Sequence, residues 1–265
     1  MKHISSKNNP IYKKIYKLSN NSRHRKTTNS FIIEGARYIG LAFENNYKFL
    51  EVIVCTELLS SEGYKEILKK LKNINSYDFS ENLFNSLIYK KKSDSILAII
   101  EGKEHSLNNF KLSKKPYILV AESIEKPGNI GALLRTVDAA AMDGLIIASP
   151  KTELYNPNTI RSSLGSVMTT QIAMDSSKNV INFLKKNKIK IYSTFVKKSI
   201  NYTNVNYLKS VAIVVGKESS TLSEVWRDQS DELIKIPMNG KMDSLNLSVC
   251  AAIVIFEGLK QRNGN

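Results

Sequence analysis

From Tyr117 onward the chain alternates short, almost wholly apolar runs with longer stretches of helical period. The apolar runs are YILVAES, GLIIAS, IKIYSTFV, VAIVVGKE and LIKIPMNG, and helices are predicted over 129–142, around 177–187 and over 246–261. A strand that is apolar on both faces has to be covered on both faces, and helices connecting parallel strands do this. The pattern therefore predicts an α/β domain on a mostly parallel sheet. Residues 31–100 alternate on a smaller scale: the strand-like FIIE, the helical RYIGLAFENN, the strand LEVIVCTE, a helix from Ser61 to Lys72, another near 80–89, and the strand SILAII. They read as a small α/β module. Between the two, GKEHSLNNFKLSKKP is polar, contains Gly and Pro and keeps no apolar period, as a linker does. The expected division is residues 1–105, a linker at 106–116, and residues 117–265, and a chain of 265 residues suits two modest domains.

Charge separates the two parts. Lys and Arg number 39 against 24 Asp and Glu, for a formal net charge of +15. Residues 1–115 hold 21 basic and 11 acidic residues, and residues 116–265 hold 18 and 13. No acidic residue precedes Glu34, whereas Lys2, Lys7, Lys13, Lys14, Lys17, Arg23, Arg25 and Lys26 do, interleaved with Tyr12 and Tyr16. This is the footprint of a polyanion-binding surface, for which a phosphate backbone is the usual partner. A solvated basic face is the plainer alternative, and charge alone leaves both open. The segment lacks the bulky apolar face of an interfacial helix, so an acidic membrane surface is the poorer partner. The longest apolar stretch, Val249 to Phe256, falls far short of the ~20 residues that span a bilayer. MKHISSKNNP has no apolar core of a secretory signal, and Cys55 and Cys250 are the only cysteines, so a cytoplasmic setting is expected.

Absent motifs narrow the chemistry. There is no G-x-G, hence no dinucleotide fingerprint, and neither Gly216-Lys217 nor Gly240-Lys241 has the neighbours of a phosphate-cradling loop. His3, His24 and His105 all precede Tyr117, and two distant cysteines make no Cys-rich metal site, so no metal is expected. A Ser-His-Asp hydrolase is excluded from the second part, which also lacks a G-x-S-x-G elbow.

Three polar clusters follow strand-like runs. In EKPGNIGALLRT, residues 125–136, Pro127-Gly128 makes a turn and Asn129 is placed to start a helix with Ile130, Leu133, Leu134 and Val137 as its buried stripe. Arg135 lies six residues on, roughly 240° around an ideal helix from Asn129, so the two converge only if Asn129 sits in the turn. A capped helix carrying a solvated arginine explains this cluster equally well. In VAIVVGKESSTLSEVW an apolar run ends at Gly216, where backbone can approach a ligand, although a plain tight turn also fits. In LIKIPMNGKMDSLNLSVCAAIVIFEGLKQR a strand ends at Ile236-Pro237, and Asp243, Ser244 and Asn246 precede an apolar helix, as capping residues also would.

Taken in order, PGNIGALLRT, GKESSTLS and IPMNGKMDSLNLSVCAAI resemble the three motifs of the SpoU/TrmH class of RNA ribose methyltransferases, within the wider SPOUT group. Three ordered motifs over about 120 residues are far more specific than any one alone. YNPNTIRSSLGSV, residues 155–167, is similar to the stretch between the first two motifs, and the likeness extends over 117–262. The opening SSKNNPIYKKIYKLSNNSRHRKTTNSFIIEG is similar to the N-terminal substrate-binding domain of ribosomal-RNA members. The resemblance implies an α/β knot, a deep trefoil, preceded by a small α/β, ribosomal-protein-like RNA-binding domain. It implies S-adenosylmethionine held by backbone groups at Gly216, Ile236 and Leu245, and a reaction centre of Asn129, Arg135, Glu218, Ser244 and Asn246 with Arg135 near the target ribose and its phosphate. It further implies a homodimer, ribosomal more than transfer RNA as substrate, and Lys13, Lys14, Arg23, Arg25 and Lys26 as RNA contacts. A non-catalytic RNA-binding or ribosome-assembly protein on the same scaffold is the alternative reading, with base methylation a third. One departure stands out: where the second motif runs G-x-E-x-x-G-L-S, Thr221 replaces the second glycine, and a β-branched residue is strained wherever φ is positive.

Overall fold

The computed structural model of the chain describes residues 1–59, 63–88, 95–216, 222–241 and 243–264. It separates into two compact units, residues 1–104 with 155–160, and residues 105–154 with 161–265.

The first unit contains β1 (Lys2–Ile4), α1 (Pro10–Asn20), α2 (Ser22–Thr28), β2 (Ser30–Glu34), α3 (Ala36–Glu44), β3 (Phe49–Val54), α4 (Gly63–Lys70), β4 (Asn75–Phe79), α5 (Glu81–Asn85) and β5 (Ile96–Glu101). Among the described residues its strands form a five-stranded sheet in the order β1-β4-β3-β5-β2, parallel over β1-β4-β3 and antiparallel at β5. The near-continuous apolar runs of β3 and β5 make them interior strands, and Val52 to Val54 and Ile96 to Ile100 are buried. α1 starts at a capping Asn9, whose Oδ1 accepts from Ile11 N at 2.9 Å, with Pro10 in the first helical position. Its Tyr12, Ile15 and Leu18 form the stripe that packs with Phe79 and Phe84, so this basic segment does carry an apolar face, and it is spent on the core. Asn21 ends α1 and opens α2: its N–H donates to Lys17 O at 2.8 Å, and its Oδ1 accepts from His24 N at 2.9 Å. Residues 155–160, far away in sequence, also belong to this unit. The Tyr155 ring stacks on Phe31, with centroids 3.9 Å apart, and its hydroxyl accepts from Lys103 N at 3.1 Å. Gly102 makes the room, since a Cβ there would lie 2.9 Å from the Tyr155 ring and 2.6 Å from Asn29 Oδ1.

The second unit is organised by β6 (Tyr117–Glu122), α6 (Pro127–Ala139), β7 (Gly144–Ala148), the last residues of α7 (Pro157–Ser163), whose residues 157–160 belong to the first unit, α8 (Ser166–Thr169), β8 (Ile172–Asp175), α9 (Ser177–Lys186), β9 (Lys190–Thr194), β10 (Ile200–Asn201), β11 (Val211–Val215), α10 (Glu224–Gln229), β12 (Glu232–Lys235) and α11 (Leu247–Arg262). Among the described residues the strands form a seven-stranded sheet in the order β10-β12-β9-β11-β6-β7-β8, parallel at every pairing. The apolar runs YILVA and VAIVV lie side by side as β6 and β11 at its centre, fully buried. α6 buries Ile130, Leu133, Leu134 and Val137, the stripe its spacing predicts. α11 is fastened by the Tyr117 hydroxyl, which donates to Ile255 O at 2.8 Å, and by Arg262, which donates to Tyr207 O, Lys209 O and Lys115 O. Residues 106–116, expected as a linker, dock onto this unit: Leu107 and Phe110 are buried in its core, Gln171 Oε1 accepts from Lys111 N, and Asp143 accepts from Ser113 N and Tyr117 N. Leu112, partly buried, packs against the same core, so three apolar residues pin an otherwise polar stretch. No helix of the described residues is long and apolar enough to cross a membrane.

Candidate active site

Because every strand of the second sheet runs the same way, Glu122, Ala148, Asp175, Thr194, Val215 and Lys235 end on one edge, the edge at which open α/β sheets bind ligands. The three polar clusters all issue from it. Gly216 directly follows β11. A Cβ there would approach Leu222 Cγ at 3.1 Å and Leu222 N at 3.2 Å, so only a bare backbone passes without pushing Leu222 away. Ile236 follows β12 and is half-buried, with β9 between its strand and β11. Leu245 lies just before α11 and is exposed, as is Ser244. Among the described residues, the main-chain N–H groups of Met238, Asn239, Gly240, Lys241, Asp243, Ser244 and Leu245 have no hydrogen-bond partner in the chain. Backbone left unpaired over so long a stretch is available to a ligand. Asn246 Oδ1 is committed to capping α11, accepting from Ser248 N at 2.9 Å and Ser248 Oγ at 2.6 Å. Beneath the loop, Cys250 Sγ donates to Leu245 O at 3.7 Å, and burial pushes its thiol pKa up, which keeps that proton in place.

α6 leaves the same edge through Ser123–Lys126. Lys126 is its N-cap and Pro127 its first residue, so Asn129 lies inside the first helical turn rather than in the preceding turn. Asn129 is half-buried and Arg135 is exposed two turns further on, and six helical residues set them roughly 240° apart. The structure thus places both on one helix, not on one face of it. The Arg135 side chain has no ion pair or hydrogen bond among the described residues. Glu218, like Lys217 and Thr221, lies outside the described residues. His105 belongs to the second unit after all, but its Nδ1 meets Ile172 O, at 3.3 Å, at the start of β8 and so at the opposite end of that strand from the ligand edge. No group of three or more potential metal-ligating side chains occurs among the described residues.

In the first unit Lys13, Arg23 and Lys26 are exposed, together with Lys17 and Tyr16, whose ring stacks on Tyr12 with centroids 6.4 Å apart. Lys14 is paired with Glu51, Nζ to Oε1 at 3.0 Å. Arg25 is a correction to the sequence reading. It is 6 % exposed, and its Nη1 donates to Leu18 O at 2.5 Å and to Ser19 O at 3.3 Å. Its guanidinium closes the carbonyl end of α1, which a helix terminus leaves unpaired, and is withdrawn from solvent.

Sequence reasoning overlooked one group at the edge. Glu122, the last residue of β6, is buried and accepts from Ser177 Oγ and from both Ser223 N and Ser223 Oγ. The available signal was a lone carboxylate ending the apolar run YILVAE.

Comparison with known proteins shows the family. Residues 116–256 match the model of the SpoU rRNA Methylase family, and residues 9–98 match the MRM3-like substrate binding domain. The chain belongs to the SpoU rRNA methylase family. It is 26 % identical over 256 residues to the 23S rRNA (guanosine(2553)-2'-O)-methyltransferase RlmP of Bacillus subtilis, covering 97 % of this chain and 98 % of that one. Among solved structures, an RNA 2'-O ribose methyltransferase superposes with a TM-score of 0.84 at 31 % identity, covering 98 % and 99 % of the two chains. An AdoMet-bound rRNA methyltransferase from Sinorhizobium meliloti superposes with a TM-score of 0.90 at 24 % identity, covering 98 % of each.

Proposed function

We propose that this chain transfers the methyl group of S-adenosylmethionine to a ribose 2′-hydroxyl of ribosomal RNA, acting as a homodimer on the trefoil-knotted scaffold of its family. The observation that carries the reading is Arg135: a guanidinium without a partner among the described residues, on the helix that springs from the edge where β11, β12 and the loop before α11 also end.

The residues present fit the cofactor. Its adenine is uncharged and is recognised by main-chain groups, which the bare backbone at Gly216 and the unpaired N–H groups of the 238–245 loop supply. When bound, S-adenosylmethionine supplies a methyl group on a sulfonium, already activated for transfer. The work left to the chain is to set the ribose hydroxyl in line with that methyl and to ease the loss of its proton, and alignment alone is worth up to ~7–11 kcal/mol. The Arg135 guanidinium acts by charge, holding the phosphate beside the target ribose and stabilising negative charge as it grows on the 2′-oxygen. Ser244 offers a hydroxyl from the loop, and Asn246 fixes that loop by capping α11. Asn129, from the first turn of α6, and Glu218 complete the reaction centre by the family likeness. Lys13, Arg23 and Lys26, joined by Lys17 and Tyr16, present the charge and the aromatic face that an RNA strand needs.

The homodimer rests on α11. Val249 and Phe256, 46 % and 47 % exposed, are seven residues apart and share a face, continued by Leu245 at 40 %. An apolar stripe on the terminal helix is the surface a second copy covers.

The test is calorimetric titration with S-adenosylmethionine, followed by transfer of labelled methyl to unmodified ribosomal RNA and, separately, to transfer RNA. Binding with transfer to ribosomal RNA supports the reading, and preference for transfer RNA revises the substrate. A folded protein that binds ribosomal RNA without binding the cofactor refutes the enzyme and favours the assembly-protein alternative.

A further inference from the structure

We propose that Glu122 is a positioning residue that holds Ser223, and with it Leu222 against Gly216, at the cofactor-binding edge. The proposal rests on the reading of Gly216 as a cofactor contact. Parallel pairing of Ala121 with Val215 sets the next residues, Glu122 and Gly216, side by side where β6 and β11 end. Six residues beyond Gly216 the chain returns to the same place: Leu222 packs against Gly216, and Ser223 hydrogen-bonds Glu122 through both its N–H, to Oε2 at 2.9 Å, and its Oγ, to Oε1 at 2.6 Å. One carboxylate therefore stands beside the beginning of the second motif and holds its end.

The same carboxylate ties in the neighbouring strand connection. Oε1 also accepts from Ser177 Oγ at 2.8 Å, at the first turn of α9. Ser177 in turn meets Ser149 Oγ through both its Oγ, at 2.9 Å, and its N–H, at 3.1 Å, just past β7. Ser123 and Ser149, the residues that follow β6 and β7, both hold left-handed φ values, 52° and 49°. Their N–H groups are anchored to Ala148 O and Asp175 O. The exits of three adjacent strands are thus joined through Glu122.

The choice of residue type carries the inference. A buried carboxylate is costly unless well compensated, and this one has no ion pair among the described residues, only hydroxyl and amide donors. A neutral side chain would close the strand end at lower cost. What a carboxylate adds is acceptor capacity: its two oxygens take all three donors at once, in a geometry that neither a serine nor an amide reproduces. That rigidity serves a site that recognises its ligand by backbone, where misplacement of the main chain cannot be corrected by a side-chain rotamer.

The test compares wild type with Glu122→Ala, Glu122→Gln, Ser223→Ala and the double variant Glu122→Ala/Ser223→Ala. Each is measured for S-adenosylmethionine Kd, for KM of cofactor and RNA, and for amide hydrogen exchange of the peptide containing Ser223. Glu122→Ala is expected to raise the cofactor Kd and KM about tenfold or more, the scale of losing buried hydrogen bonds to a charged acceptor, with KM for RNA within twofold of wild type and exchange protection at Ser223 lost. Glu122→Gln, which keeps one good acceptor, should recover part of the affinity. Ser223→Ala should weaken the cofactor about threefold, and the double variant should match Glu122→Ala, because both substitutions break one linkage. If Glu122→Ala does not fold, Ser223→Ala carries the decision alone. An unchanged cofactor Kd in the folded variants overturns the clamp while leaving the enzyme reading intact, as does an equal loss of cofactor and RNA affinity. A wild-type protein that binds no cofactor overturns both.

Discussion

Replacing Arg25 by alanine separates a structural arginine from an RNA-binding one. The guanidinium makes one short hydrogen bond to Leu18 O and a longer one to Ser19 O, and the side chain is buried. A hydrogen bond involving a charged group contributes ~1.5–3 kcal/mol, and the lost packing of the arginine stem adds to it. A destabilisation of about 2–3 kcal/mol is expected, which in a unit of this size lowers its Tm by roughly 10 °C. Arg23→Ala, two residues away and exposed, should leave Tm within a degree or two and instead reduce the slope of log K against log salt for RNA binding by ~0.7–0.9, one phosphate contact. Thermal unfolding followed by circular dichroism and filter binding at several salt concentrations read both quantities. If Arg25→Ala keeps its Tm and loses salt dependence as Arg23→Ala does, the structural assignment of Arg25 is refuted.

Arg135→Ala should lower kcat at least about a hundredfold, the scale of removing one charged stabiliser of a transition state, while calorimetry finds cofactor Kd unchanged. A retained rate removes Arg135 from the reaction centre. Gly258→Ala should destabilise the second unit although it raises helix propensity. A Cβ there collides with the Tyr117 hydroxyl, and overpacking of ~1–3 kcal/mol plus the broken Tyr117–Ile255 bond outweighs a gain of at most ~1 kcal/mol. Denaturant unfolding checks the sign. Val249→Glu with Phe256→Glu should yield monomers in light scattering without loss of helix content, and an unchanged mass would place the dimer face elsewhere. Asp78 is half-buried, and its partial desolvation raises its pKa, but the hydrogen bonds from His3 and from Thr56 N and Oγ1 outweigh this and hold it below the usual carboxylate value. Its contribution is therefore present above about pH 4 and lost as pH falls through the lowered folded value. Acid titration of stability should show this loss in wild type and a flatter profile in Asp78→Asn.

The alternation of apolar runs with helical stretches located the interior strands and the helices α6, α9 and α11 to within a few residues, because burial on both faces leaves an unmistakable composition, whereas α1 was read only as a basic segment. Edge and near-edge strands were harder to see: β4, NSYDF, is half polar, β1 and β10 are very short, and none buries both faces. The capture of Tyr155 by Phe31 and Gly102 is a long-range packing event with no local signature. Arg25 and Arg23 are two residues apart in one basic run, and composition could not tell that helical phase turns one inward and the other outward. The site was legible as three ordered clusters, whereas its internal geometry was not. Whether Asn129 belonged to the turn or to the helix depended on where Pro127 began α6. Glu122 escaped notice because its meaning lies in the sheet register beside Gly216 and in serines 55 and 101 residues away.

The most direct test of the central claim is the chemical position of the transferred methyl. Ribosomal RNA labelled by the purified protein is hydrolysed in alkali, which requires a free 2′-hydroxyl as the attacking group and therefore spares a phosphodiester next to a methylated ribose. Label is expected in alkali-resistant dinucleotides, and is lost when Arg135→Ala replaces the wild type. Label recovered in mononucleotides would mean that a base is the acceptor and would contradict the claim.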